Sequence, residues 1–396
     1  MNLKTDHSRA VAERAHGHGL PAGSRAERRT SFDLADIPIP SGREEEWRFS
    51  PIERLAPLFA AALGSDGVAV EVSPAEEVQV ETVARGDIRL GLTGKPGDRT
   101  AVTAWNGFAA ATVVTIPADT AVSALTTITV RGRSLEASAA HVLIRAERNS
   151  QAVVVIDHVG QALLTETIEI VVEDGANLTL VAVQDWADGA VHAASHRSVV
   201  GRDARLKHVV VTFGGDVVRV TPDAAFTSEG GDVELVGLYF ADANQHQEHR
   251  LFVDHGQPRC KSRVTYKGAL QGVGARAVWV GDVLIQANAE GTDTYELNRN
   301  LVLTDGARAD SVPNLEIETG EIEGAGHASA TGRFDDEQLF YLMSRGIPVG
   351  EARRLVVRGF FAELVEQIGV PEVEGRLLES IETELAKSMT AITGGK

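Results

Sequence analysis

The stretch HQEHRLFVDH places three imidazoles, His246, His249 and His255, within ten residues, and three imidazoles can hold a zinc ion. The spacing argues against it. It is not the His-Glu-x-x-His of a metal-binding helix, and on a strand His246 and His249 point to opposite faces, so solvated surface histidines are the expectation. His192 and His196 make a weaker pair of the same kind. Cys260, in GQPRCKSRVTYKG, follows a proline turn, and a lone cysteine is more often a small buried hydrophobe than a nucleophile; it stands as a thiol candidate behind that reading. Asp335, Asp336 and Glu337 could pair as general acid and base, but three acids at a helix start are accounted for by capping and the helix dipole. His327 differs by its place. It ends the strand-like part of the chain between Gly326, Ala328 and Ser329, whose small side chains leave an imidazole room to face a partner or to bind iron or zinc.

Two common chemistries are missing. The internal Gly94-Lys95 is followed by Pro96, so there is no nucleoside-triphosphate loop and the chain is not expected to hydrolyse ATP itself. There is no Gly-x-Ser-x-Gly elbow either, which excludes a hydrolase of that type.

The elements that must position His327 read as four segments. Residues 1–30 are polar and aperiodic, a flexible tail. Residues 31–67 carry helical spacing at Ile52, Leu55, Leu58 and Phe59. From 68 to 331, short Val, Ile, Leu and Thr runs such as ETIEIVVEDG and LKHVVVTFGG recur between Gly, Asp and Asn, with helix-period patterns almost absent. Strands this short and this β-branched fit the stacked rungs of a mainly β, parallel β-helix (β-solenoid), with an antiparallel sandwich as the alternative from pattern alone. Residues 332–396 turn helical. Apolar stripes run through Leu339, Phe340 and Leu342, then Leu355, Val356, Phe360, Leu364, Val365 and Ile368, then Val373, Leu377, Leu378, Ile381 and Leu385. Such a region either caps the solenoid or offers a docking platform.

Composition bounds the partners. A formal charge of −18 over 396 residues repels phosphate backbones and anionic membranes, so no nucleic acid and no membrane are expected, and other proteins are. The single cysteine excludes an internal disulfide framework and a cysteine-ligated cluster within one chain, and suits a reducing, cytoplasmic setting. LAPLFAAALG is far shorter than the roughly 20 residues of a spanning helix, and the opening MNLKTDHSRAVAERAHGHGL lacks the apolar core of a signal peptide.

The run GHASATGRFDDEQLFYLMSRGI (326–347) resembles the C-terminal signature of the SufB/SufD family of iron–sulfur cluster assembly proteins. In that signature a histidine-bearing strand is followed by Gly-Arg-hydrophobic-Asp-Asp-Glu-Gln, Phe-Tyr-Leu and Ser-Arg-Gly-Ile. REEEWRFSPIERL (43–55) and the stretch from Cys260 to Ile317 are similar to further family segments. The resemblance implies a right-handed parallel β-helix with helical ends, and a non-catalytic scaffold role. It implies pairing with a SufB-type paralogue through the β-helices and docking of a SufC-type ABC ATPase on the C-terminal helices, with Phe340, Tyr341, Arg345, Phe360 and Leu364 as the partner-binding residues. Iron or an iron–sulfur cluster would be held only transiently, at the subunit interface, with none bound stably by this chain alone. A shorter chain with only Cys260 looks like the D-type subunit, in which His327 matches the histidine implicated in cluster or iron handling. Some D-type members carry a cysteine two residues earlier, where this chain has Ala325. Were the resemblance misleading, a β-solenoid carbohydrate-active enzyme of the polysaccharide lyase kind, or a homo-oligomer joined by solenoid edges, would be the alternatives.

Overall fold

Runs such as ETIEIVV become strands covered on both faces, which is why they lack a clean polar alternation. The computed structural model describes residues 28–60, 63–64, 66–334 and 336–393, so most of the expected tail and any cap by Asp335 lie outside the described residues. A short helix, α1 (Ile52–Leu55), precedes β1 (Val68–Ser73), β2 (Gln79–Ala84), α2 (Arg99–Gly107) and β3 (Ala110–Ile116). Two long strands, β4 (Thr126–Ala146) and β5 (Gln151–Val172), each pass through a corner. Ten-residue strands then follow: β6 (Asn177–Trp186), β7 (Val191–Val200), β8 (Arg205–Gly214), β9 (Val217–Phe226), β10 (Asp232–Ala241) and β11 (His246–His255). They continue as β12 (Lys261–Leu270), β13 (Arg276–Ile285), β14 (Asp293–Val302), β15 (Arg308–Ile317) and β16 (Gly324–Arg333). Three helices close the chain, α3 (Asp336–Ser344), α4 (Val349–Ile368) and α5 (Pro371–Thr393).

The strand order β15-β13-β11-β9-β7-β5-β6-β8-β10-β12-β14-β16 describes two faces joined at β5, a β-solenoid of about 8 turns. Strand β5 pairs with β6 through Gln151–Gly160 and with β7 through Leu163–Val172. The corner between them needs glycine at 160. Its φ is +91°, and a Cβ there would stand 2.6 Å from the Gly132 carbonyl oxygen of β4. Register partners lie 26 residues apart at Gln151 and Asn177, but 32 apart at Lys261 and Asp293. That drift is why the sequence shows rungs without a fixed repeat length.

The interior is lined by alternate residues, among them Leu178, Leu206, Val233, Leu235 and Val264. Each outer face has its own cover. Helices α4 and α5 lie over the β6–β8–β10 side through Val357, Phe361, Leu364, Leu377 and Ile381, against Val181, Val209, Val211, Val236 and Leu238. The N-terminal segment covers the β7–β9 side with Trp47, Leu55, Leu58 and Phe59. Helix α2 falls within the segment expected to be all strand, and it carries Phe108 at its end onto Ala111, Val113 and Leu143. Among the described residues antiparallel pairing is confined to β1 with β4 and β2 with β3, so the parallel solenoid, and not the sandwich, is the observed architecture.

One expectation shifts by a residue. Helix α4 buries Ala352, Val357, Phe361, Leu364, Val365 and Ile368, whereas Leu355 is 42% exposed and Phe360 only half-buried. The doublets Val356–Val357 and Phe360–Phe361 give two equally apolar stripes, and periodicity cannot choose between them.

Candidate functional site

The last rung is unlike the others. Strands β15 and β16 stand at the two ends of the strand order, and among the described residues each pairs on one side only, β15 with β13 and β16 with β14. The interior loses its apolar lining towards this end: the Asn300 amide donates to Asn298, Ser311 and Thr331, and the Tyr239 hydroxyl donates to Asn300. The chain then leaves through α3, and α4 and α5 run back along the side of the solenoid.

His327 sits on β16 in register with Glu296 of β14, exposed, and with no hydrogen-bond partner among the described residues. It borders a cleft of about 340 Å³ shared with Phe252, Asp282, Leu284, Asn314 and Glu316. One imidazole and two carboxylates on one cleft are donors suited to Fe²⁺ or Zn²⁺. Asp282 is oriented by the Asn314 amide (2.7 Å) and by Arg28 (3.2 Å).

Behind His327 in the register, Glu296 is buried with neither carboxylate oxygen hydrogen-bonded. Burial first, and then the charge of Asp282, push its carboxyl up to about 8. A value raised above 4.5 means that folding is unpenalised below pH 4.5 and loses stability as pH climbs from there through 8. Glu296→Gln is therefore expected to match the parent near pH 4 and to exceed it at pH 9 by an amount on the order of 3 kcal/mol, read from urea denaturation at the two pH values. Equal stabilities at pH 9 would mean that solvent reaches the carboxylate.

The other sequence candidates scatter. Cys260 is buried just before β12, its Sγ 3.5 Å from the Ser228 and Pro258 carbonyls, and burial pushes the thiol up; it is protonated and sealed, away from the cleft. Phe340 and Tyr341 are 74% and 57% exposed on α3, with the Arg345 guanidinium 5.1 Å from the Tyr341 ring. Such exposed aromatics fit a docking surface. Leu364 does not: it is fully buried between α4 and the sheet, and Phe360 packs beside Phe361 and Lys267. Leu364 therefore holds the helices on the solenoid, where the resemblance implied partner contact, whereas the half-buried Phe360 keeps part of its ring at the surface.

The expectation of solvated histidines is also overturned, because His246, His249 and His255 are all buried. His246 lies under the N-terminal segment beside Glu248 (3.1 Å). His249 and His255 point into the solenoid, bonded to Thr212 (2.9 Å) and Ser262 (2.8 Å). Burial lowers them to about 3 and about 4, so both are neutral core members. They form no common metal site.

Sequence reasoning missed a further buried group, His158, Glu166 and His192, whose ligating atoms all lie within 4.8 Å of one another. Period-2 alternation could have shown Glu166 and His192 in the same inward column as apolar neighbours, but no spacing rule links residues on separate strands.

The model for the SUF system FeS cluster assembly SufBD core domain matches residues 128–360. An iron–sulfur cluster assembly SufBD family protein of Mycobacterium tuberculosis (strain ATCC 25618 / H37Rv) is 56% identical over 372 residues, covering 92% of this chain and 94% of that protein. A second SufBD family protein of the same strain is 26% identical over 207 residues, 52% of this chain and 24% of that protein. The iron–sulfur cluster assembly protein SufD of Bacillus subtilis (strain 168) is 28% identical over 253 residues, 62% of this chain and 57% of that protein.

Proposed function

Since the chain belongs to the SufBD family of SUF iron–sulfur cluster assembly proteins, we propose that it is the D-type, non-catalytic subunit of an assembly scaffold, completed by a SufB-type paralogue. The observation that carries this reading is the uncapped terminal rung. Unpaired strand edges invite a further strand, and here β15 and β16 offer two, around a polar interior and beside His327. A partner with a similar rung would extend both faces and enclose the His327 cleft. Imidazole and carboxylates would then meet whatever donors the partner supplies, as a transient holding point for iron or a nascent cluster.

The second contact is assigned to α3. Its aromatic surface, Phe340 and Tyr341 with Arg345, is the docking ground for a SufC-type ABC ATPase, which supplies the nucleotide chemistry that this chain lacks. No helix of the described residues is long and apolar enough to cross a membrane.

The test is co-expression with a SufB-type paralogue and a SufC-type ATPase, followed by absolute mass from light scattering and by anaerobic cluster reconstitution. A heteromeric species is expected. Ile317→Lys with Ala330→Lys, which charges both terminal edges, should abolish pairing and leave circular dichroism unchanged. His327→Ala should preserve pairing and lower cluster yield at least tenfold, since losing even an outer partner of a metal ligand costs about 10–100-fold. A monomer or homodimer indifferent to both partners would overturn the scaffold reading, and an unchanged cluster yield in His327→Ala would remove the histidine from it.

A further inference from the structure

The interior of the solenoid near its first turns holds a polar island within an apolar core. His158 on the first limb of β5, Glu166 on the second limb and His192 on β7 have no exposed side-chain surface. They are surrounded by Leu164, Trp186, Ala194 and Val218 of the main core. His158 Nε2 lies 2.7 Å and His192 Nε2 3.4 Å from Glu166 Oε2. The longer contact does not meet hydrogen-bond geometry: His192 Nε2 and Glu166 Oε1 are both buried without a hydrogen-bond partner.

The outward-turned ring nitrogens carry the argument. His158 Nδ1 is 3.2 Å from the Val183 carbonyl oxygen, and His192 Nδ1 is 2.8 Å from Gln184 Oε1, two oxygens that accept N–H protons. The Trp186 indole N–H, a donor only, stands 3.1 Å from His192 Nδ1 and 3.2 Å from Gln184 Oε1, so His192 Nδ1 carries the proton when the indole donates to Gln184 instead. If each Nδ1 carries its proton, each Nε2 presents a lone pair to the same point as the carboxylate. This is how metal-binding histidines are held, with the far ring nitrogen donating to a carbonyl that fixes tautomer and orientation.

We propose that His158, Glu166 and His192 form a buried site for a divalent transition-metal cation, Zn²⁺ or Fe²⁺, distinct from the His327 cleft. Two imidazoles and a carboxylate suit either ion. Metal–ligand bonds of about 2.0–2.2 Å require donor atoms roughly 3.3 Å apart; the His192–Glu166 contact stands at 3.4 Å, the His158–Glu166 contact at 2.7 Å, and all the ligating atoms lie within 4.8 Å of one another, so side-chain adjustments of under about 1.5 Å admit the ion. The ion ties the two limbs of β5 across the Gly160 corner to β7, so it acts as a brace acquired during folding. A proton on His158 is the rival occupant, giving a plain imidazolium–carboxylate pair.

The full chain is refolded with Co²⁺, with Zn²⁺, or anaerobically with Fe²⁺, treated with chelator, desalted and assayed for metal. About one equivalent per chain should survive the chelator and be released on unfolding, and the Co²⁺ form should show visible ligand-field bands. His192→Phe, which keeps the volume and removes the ligand, and Glu166→Gln should each abolish retention, while His327→Ala should not affect it. Should either variant fail to fold, the parent's stoichiometry and Co²⁺ spectrum still decide. Retention below about a tenth of an equivalent in the parent, or equal retention in a folded His192→Phe, overturns the site. None of these readouts depends on partners or on cluster yield, so the scaffold reading stands or falls separately.

Discussion

Arg219→Met is expected to lower the stability of the chain by about 3–5 kcal/mol at pH 7. Arg219 lies on the outer face of β9, 2% exposed, with Nη1 2.6 Å from Asp98 Oδ2 and Nε 3.4 Å from Glu248 Oε1. Its guanidinium stacks 4.1 Å from the Trp47 ring of the N-terminal cover. Asp98 uses its other oxygen to cap α2 at the Ala101 amide (2.8 Å). Methionine would keep the stem and deprive the buried Glu248 and the half-buried Asp98 of their guanidinium, so the helix cap, the cover and two rungs weaken together. Burial raises Glu248, but the His246 hydrogen bond and the charges of Arg219, His246 and Arg250 outweigh it and hold the group at about 2. A value depressed below 4.5 gives stability that is present above pH 4.5 and lost only as pH falls towards 2. In the variant the carboxylates protonate at higher pH, so the penalty should shrink between pH 7 and pH 4. Denaturation at both values checks the magnitude and the trend. A loss under about 1 kcal/mol at pH 7 would show that water replaces the guanidinium.

Gly268→Ala should prove nearly as damaging. Tyr239 of β10 lies across Gly268 of β12, and Tyr266 of β12 lies across Gly237 of β10, a reciprocal pair in adjacent rungs. A Cβ at 268 would be 1.8 Å from Tyr239 Cε2, and one at 237 would be 1.9 Å from Tyr266 Cε1. Neither ring can step aside: both are fully buried, and Tyr239 is anchored by Asn298 and Asn300. Overpacking of this kind costs about 3 kcal/mol, a fall in melting temperature of roughly 4 °C for a chain of this size. Combining Gly268→Ala with Tyr239→Leu should recover part of the loss, because the two sites couple directly. Additive losses in the double variant would place the damage elsewhere.

These two cases mark what could be read from the chain in advance. Val and Ile runs such as LKHVVVTFGG announced strands, and the signature around His327 placed the histidine on the final one. The Tyr–Gly interlocking could not be seen, since Tyr239 and Gly268 meet only once the rung length is known, and that length drifts from 26 to 32 residues. The histidines misled for a related reason. Polar residues inside a solenoid keep the same alternation as those outside, so HQEHRLFVDH looks solvated until register shows His249 against Thr212 and Tyr239. Leu364 misled through geometry: an amphipathic helix advertises one apolar stripe, and whether its own sheet or another protein covers it is decided by where the chain turns after β16. Charged pairs such as Arg219 with Asp98 join residues 121 positions apart, beyond any local pattern.

The open rung at β15 and β16 also has a thermodynamic meaning. A stacked array gains stability at each junction between neighbouring turns, and the final turn has one junction fewer. Whatever seats on it completes that count by mass action, adding RT ln(1 + [L]/Kd), about 2.7 kcal/mol when the occupant is a hundredfold above its dissociation constant. The melting temperature of this chain is then a property of its surroundings as much as of its sequence: dilution unseats the occupant and lowers it, whereas an isolated closed solenoid would melt at the same temperature at every concentration.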